Sequence, residues 1–234
     1  MTRWERIGYM TRWGRYLAEV EKKLILRGEG CAGHVGHGID LGCGGGRWSK
    51  LLAERGWTMT CMDVNSADLE VCRRKVPSAN CVLTLPENTS IPAPSASARV
   101  MLCIEVVPII ESRWFPREAS RVLQEGGVLI GVCINGQSLR AMASRLSNRI
   151  STGRANYRFY KTSYTECRQR LEQNGFEIMH EESCCWGPFS RESNSPFVPA
   201  FVKMERALGL NRVVTWGPWI GFIARKVKSI SAAE

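Results

Sequence analysis

Apolar residues recur along this chain with two periods that alternate. Through residues 1–27, Trp4, Ile7, Tyr9, Trp13, Tyr16, Leu17 and Val20 return at roughly helical spacing among Arg3, Arg6, Arg12 and Arg15, which predicts an N-terminal helix. Five glycines over residues 28–38 predict a loop. Short apolar runs at 38–41, 57–62, 81–85, 100–106 and 128–134 then read as strands. Between them, 47–55, 67–75 and 114–124 read as helices, with Gly56 and the pair Gly126-Gly127 as stops. Strands apolar on both faces, separated by helices, predict a parallel sheet covered on both sides.

The last hundred residues are less regular. Residues 138–150 are amphipathic, with Leu139, Met142, Ala143, Leu146 and Ile150 on one stripe. Residues 162–174 predict a helix ended by Gly175, 176–183 a strand, 184–202 an irregular aromatic loop, and 218–226 a final strand. The predicted fold is α/β: a doubly wound, Rossmann-like sheet, mostly parallel with an antiparallel last strand. Helices cover both faces and a small helical or loop cap completes it. At 234 residues the chain reads as one domain. It divides into an N-terminal lid (1–35), a core (36–136), a cap and acceptor region (137–202) and final strands (203–234).

Composition narrows the class. The chain is 44% hydrophobic and 23% charged, as globular proteins are. No apolar run approaches the ~20 residues that span a bilayer. The opening Met1-Thr2-Arg3-Trp4-Glu5-Arg6 has no apolar stretch of a secretory signal, so a cytoplasmic protein is expected. Of ten cysteines, Cys43, Cys61, Cys103 and Cys133 fall in or beside predicted strands, where a free thiol acts as a small hydrophobe. There is no C-x-x-C, and reduced thiols are expected. Cys184-Cys185, four residues after His180, match no standard zinc spacing, and no metal is expected. Net charge is +10, and Arg140, Arg145, Arg149, Arg154, Arg158 and Lys161 form a stretch without acids. Such a patch is either a solvated helix face or a surface for phosphate, anionic membrane or nucleic acid. No nucleic-acid-binding module signature accompanies it.

The chemistry concentrates in Gly38-Ile39-Asp40-Leu41-Gly42-Cys43-Gly44-Gly45-Gly46-Arg47-Trp48. A strand running into a glycine turn and a helix builds a nucleotide-sized crevice at the carboxyl edge of a parallel sheet. The dinucleotide fingerprint requires a third glycine where Arg47 stands, which disfavours an NAD-linked oxidoreductase. The run I-D-L-G-C-G-G-G instead resembles the first motif of class I S-adenosylmethionine-dependent methyltransferases. That resemblance implies Asp40 near the amino-acid end of the cofactor, with Gly42, Cys43 and Gly44 beneath its methionine and ribose. Asp63 ends the second strand, where a carboxylate accepts two hydrogen bonds from ribose hydroxyls. Val64 follows it, and Cys103 near the end of the fourth strand completes the expected cofactor set. Glu87-Asn88-Thr89-Ser90-Ile91-Pro92 resembles the family's D-A-x-x-L-P, which implies Glu87 and Asn88 at the adenine. Residues 116–127 resemble the helix and turn before the fifth strand, with Glu125 in place of proline. The resemblance is nearest to the small-molecule subgroup that includes the ubiquinone and menaquinone enzymes. One departure is Arg99, where an aspartate is frequent.

Methyl transfer to carbon or oxygen calls for an acceptor held in line and, in some cases, a base. Glu105, at the end of the fourth strand, is the best-placed carboxylate. His34 and His37 lie at the opposite sheet edge, and His180 shares the alternation of Phe176 and Ile178, as a packed residue does. The acceptor pocket is expected from the first helix and from residues 137–202, with Tyr157, Phe159, Tyr160 and Trp186 as candidate walls, and a basic, aromatic cap suits a planar or anionic small molecule. Two other readings stay open. One is a nucleic-acid methyltransferase, favoured by the charge but lacking an N/D-P-P-Y-type segment. The other is a non-catalytic S-adenosylmethionine-binding partner protein. Oligomeric state is undetermined, and surface contact with a membrane is compatible with the terminal tryptophans.

Overall fold

The computed structural model describes residues 2–150 and 162–227. The strands are β1 (His37–Leu41), β2 (Thr58–Asp63), β3 (Asn80–Leu83), β4 (Ala98–Cys103), β5 (Leu123–Ile134), β6 (Phe176–Cys184) and β7 (Trp219–Lys226). They form one sheet in the order β3-β2-β1-β4-β5-β7-β6. Strands β1 to β5 pair in parallel, and β7 lies antiparallel between β5 and β6. This is the doubly wound sheet read from the sequence, with its reversal of strand order between β1 and β4.

Alternation along each strand sorts side chains to two cores. In β4, Met101 and Cys103 join Phe115, Ala119, Tyr164 and Leu171 on one face. Val100 and Leu102 join Leu24, Ile25, Leu52 and Leu69 on the other. Helices α6 (Phe115–Val122) and α8 (Tyr164–Gln173) therefore cover the first face. Helices α2 (Arg12–Cys31), α3 (Arg47–Ala53) and α4 (Ser66–Lys75) cover the second. No described helix is long and apolar enough to cross a membrane.

Several boundaries differ from expectation. The N-terminal helix is broken into α1 (Arg3–Met10) and α2. At the break Thr11 is extended; its Oγ1 accepts the Gly14 N–H at 2.9 Å and donates to the Ile7 carbonyl at 2.9 Å. Helix α2 also runs through Gly28 and Gly30 instead of stopping there. A Cβ at Gly28 would lie 2.4 Å from Ile130 Cδ1, so this glycine lets the helix lie directly on β5. Strand β4 ends at Cys103 rather than 106, and β5 begins at Leu123, with positive φ at Gly126 absorbing an irregularity in its pairing with β4. Short α5 (Val107–Ile110) and α7 (Leu139–Ile150) complete the middle of the chain. The segment expected to be loop and final strand holds α9 (Val198–Ala207), which leaves β7 alone as the last strand. A register shift between Ile178 and His180 moves His180 off the packed face, where Arg27 Nη1 lies 3.1 and 2.9 Å from its two ring nitrogens.

Candidate active site

In-register pairing aligns the carboxyl ends of β1, β2 and β4. Asp40 faces Cys61 and Leu102 across the sheet, and Asp63 faces Leu83. The loops leaving these strands open into one cavity of ≈ 1150 Å³. Ligand sites commonly occupy ~300–1000 Å³, so this one has room for more than one small molecule.

At one end lies the glycine turn. Gly42 has φ 69°, and a Cβ there would lie 2.4 Å from Val106 Cγ2. Gly44 has φ 51°, and a Cβ there would meet no atom within 4 Å, so its open side is cavity. The Gly44 N–H donates to Asp63 Oδ2 at 2.8 Å, and the Asn65 N–H to Asp63 Oδ1 at 2.9 Å. Asn65, rather than Ser66, caps α4, accepting the Ala67 and Asp68 N–H groups at 3.0 and 3.3 Å. The same wall includes Cys43, Val64, Leu85 and Asn88. A third side of this end is Ile91-Pro92. The Ile91 N–H donates to Glu118 Oε2 at 3.0 Å, and Arg121 donates to the carbonyls of Ile91 and Ala93, each at 2.9 Å.

Three expected cofactor residues stand elsewhere. Asp40 is buried behind the turn, where Ser49 Oγ donates to its Oδ2 at 2.5 Å; burial pushes its carboxyl up to about 7. It braces α3 against β1 and does not line the cavity. Cys103 alternates inward and is wholly buried in the core. Glu87 is exposed and turned away, while its neighbour Asn88 lines the cavity.

The other end is aromatic and charged. Trp13, Leu17 and Glu21 of α2 form one wall, and Phe189, Arg191 and Trp219 form the opposite one. Trp13 and Phe189 meet with ring centroids 5.2 Å apart, and the Trp13 N–H donates to the Ser193 carbonyl at 3.1 Å, so the two walls are joined. Glu105 has φ 61° and is ion-paired through Oε2 with Arg191, which also lies 5.3 Å from the Trp219 ring. Glu21 is buried, and its Oε1 has no hydrogen-bond partner. Burial pushes its carboxyl up to about 7, against the opposing pull of Arg191 and Arg47.

Of the expected acceptor walls, Trp186 is absent from the cavity. It donates Nε1–H to Ser183 Oγ at 2.8 Å and its backbone N–H to Glu205 Oε2 at 3.2 Å. Tyr157, Phe159 and Tyr160 lie outside the described residues. Arg140, expected on a basic surface, turns inward and donates to the carbonyls of Gly187 and Phe189. The first helix was expected to supply part of the acceptor pocket, but Trp13 and Glu21 were not singled out within it as site residues. The signal was there: Glu21 stands on the apolar stripe Trp13-Leu17-Leu24 of α2, where a carboxylate is out of place in a purely structural helix face.

Comparison with known proteins bears on this geometry. Residues 39–131 match a family model described as a methyltransferase domain. The match falls on the part of the chain that carries the site. The match spans β1 through most of β5 and so contains the glycine turn, Asp63 and Asn88. The open Gly44 cradle beside the Asp63 carboxylate fits a nucleoside-bearing ligand. No curated protein sequence matches the chain significantly. Among solved structures it is similar to a geranyl diphosphate methyltransferase in complex with GPP and sinefungin (TM-score 0.62, 16% identity, covering 92% of this chain and 79% of that one). It is similar to an S-adenosylmethionine-dependent methyltransferase from Mesorhizobium loti (TM-score 0.57, 16% identity, 81% and 90% covered). The cyclase SpnF shares the fold as well (TM-score 0.56, 16% identity, 88% and 81% covered).

Proposed function

We propose that this chain is an S-adenosylmethionine-dependent methyltransferase that acts on a planar, weakly acidic small molecule, at oxygen or at an activated carbon, held in the aromatic end of the cavity. The observation that carries this reading is the continuity of the cavity from the Gly44–Asp63 end to the chamber between Trp13, Phe189 and Trp219. Bound S-adenosylmethionine supplies an electrophilic methyl group. Everything else falls to the protein.

The Asp63 carboxylate keeps lone pairs for ribose hydroxyls beyond those used by Gly44 and Asn65, and Asn88 and Ile91 flank the adenine position. Trp13, Phe189 and Trp219 exclude water and hold the acceptor's ring by its faces; positioning of this kind is worth up to ~7–11 kcal/mol in ideal cases. Glu21 takes the acceptor's proton at Oε1, a buried carboxylate oxygen without a hydrogen-bond partner; Glu105 Oε1 is buried without one as well, but Glu105 is ion-paired through Oε2 with Arg191. Glu105, the base expected from the sequence, is neutralised by Arg191 and acts as the anchor that orients that guanidinium. Arg47 lies over the Tyr9 and Trp48 rings, and Arg140 serves loop carbonyls. The cations of the cavity thus already have partners, which supports a neutral acceptor over a multiply anionic one. A phenol or quinone precursor suits this chamber, in keeping with the subgroup the sequence resembles.

Calorimetric titration with S-adenosylmethionine and S-adenosylhomocysteine, followed by a methyl-release screen of phenols against aliphatic phosphates, tests the reading. Turnover of phenolic acceptors that is lost in Glu21→Gln supports it. Cofactor binding with turnover confined to polyanionic acceptors overturns it.

A further inference from the structure

Behind the glycine turn, four separate elements bring thiols together. Cys43 follows β1, Cys61 is in β2, Cys72 in α4 and Cys81 in β3. The Sγ atoms of Cys43, Cys61 and Cys72, all buried, lie within 4.8 Å of one another. Cys81 Sγ is 3.8 Å from Cys72 Sγ and half-buried. Zinc bound to four thiolates has Zn–S near 2.3 Å, which sets the S···S edge of the tetrahedron at about 3.8 Å. The Cys72–Cys81 pair already has that spacing, and the buried trio needs rotamer adjustments of about 1 Å to reach it.

We propose that Cys43, Cys61, Cys72 and Cys81 form a binding site for a thiophilic divalent cation, Zn²⁺ or Cd²⁺. Binding is not a redox step. Each thiol gives its proton to solvent and its sulfur lone pair to the metal, so one cation is exchanged for up to four protons. Arg73 offsets part of the resulting negative charge, since its Nη2 donates to the Cys81 carbonyl at 3.4 Å. Two routes lead in: Cys43 lines the cavity, and Cys81 is reached from the surface.

The site is tied to the cofactor end. A Cβ at Gly46 would lie 2.5 Å from Cys72 Sγ, so the start of α3 rests on this cysteine, while Cys43 stands between the two glycines that shape the turn. A cation here fastens the turn to β2, β3 and α4 at once.

The test uses the full, reduced chain titrated with Cd²⁺ and Zn²⁺, reading the thiolate-to-metal absorption of Cd²⁺ and proton release for both. One equivalent is expected to bind, with at least 100-fold weaker binding in Cys72→Ser. Cys81→Ser, at a half-buried position that tolerates the change, is expected to lower the absorption by about a quarter and weaken binding at least tenfold. Cys133→Ser, in the opposite core, is expected to leave binding unchanged. Absence of a thiolate band, equal binding by Cys72→Ser and Cys81→Ser, or a Cys72–Cys81 disulfide in protein isolated without reductant would each overturn the proposal.

Discussion

Gly44 donates its backbone N–H to Asp63 Oδ2 at 2.8 Å, so the glycine turn and the end of β2 are one hydrogen-bonded unit. Hydrogen bonds to a charged group are worth about 1.5–3 kcal/mol each. Asp63→Ala is therefore expected to weaken S-adenosylhomocysteine binding at least tenfold by calorimetry. Asp63→Asn, which keeps one acceptor oxygen, is expected to fall between that variant and the parent.

The two cradle glycines do different work, and alanine substitution separates them. Gly42→Ala meets both left-handed strain, roughly 1–2 kcal/mol, and the Val106 side chain at 2.4 Å, with overpacking that costs ~1–3 kcal/mol. Adding Val106→Ala is expected to recover the second part only. Gly44→Ala meets no protein atom, so chemical denaturation should register only the backbone strain, about 1–2 kcal/mol, while cofactor affinity collapses.

Glu21 is expected to govern the acid limb of the rate profile. With its carboxyl pushed up to about 7 by burial, the proton-accepting form appears as pH rises through that value. Glu21→Gln should lower kcat by ~10²–10⁴, flatten the limb and leave cofactor affinity unchanged. Stability gives an independent check. A carboxyl raised in the folded state stabilises below its unfolded value, and that contribution is lost as pH climbs toward 7. Glu21→Gln should thus raise Tm at pH 8 and leave it nearly unaltered at pH 4. A Tm that falls equally at both would refute the assignment.

The Glu118–Arg121 pair, by contrast, fails in acid. Hydrogen bonding from Arg121 holds the Glu118 carboxyl below its ordinary value, so the stability it contributes is present above the unfolded value, near 4.3, and is lost as pH falls below it. Because this pair holds Ile91 against the cavity, Arg121→Ala should cost about 2–3 kcal/mol, flatten the acid side of the Tm profile and weaken cofactor binding several-fold.

The cofactor half of the site was legible because its determinants are local. A glycine turn after an apolar strand and an acid at the next strand end have fixed places in any such sheet, and Gly42, Cys43, Gly44, Asp63, Val64 and Asn88 all line the cavity. Asp40 and Cys103 were misplaced because period-two alternation decides which strand residues turn inward, and a short apolar run hides that phase. Glu87 yielded to Asn88 through the turn geometry of an exposed loop. The acceptor half was poorly legible because it is made by contacts distant in sequence. Nothing local distinguishes Phe189, which stacks on Trp13, from Trp186, which is held by Ser183 and Glu205.

The union of Trp13 with Phe189 and Ser193 also orders the enzyme's biosynthesis. The strands that shape the cofactor end are complete by residue 134, but the acceptor chamber lacks a wall until residues 189–193 leave the ribosome and meet an N-terminal helix made long before. The sheet waits as well, because β7, which lies between β5 and β6 and carries Ile220, Phe222 and Ala224 into the core, is made later still. Sheet and chamber are thus completed together, at the end of synthesis.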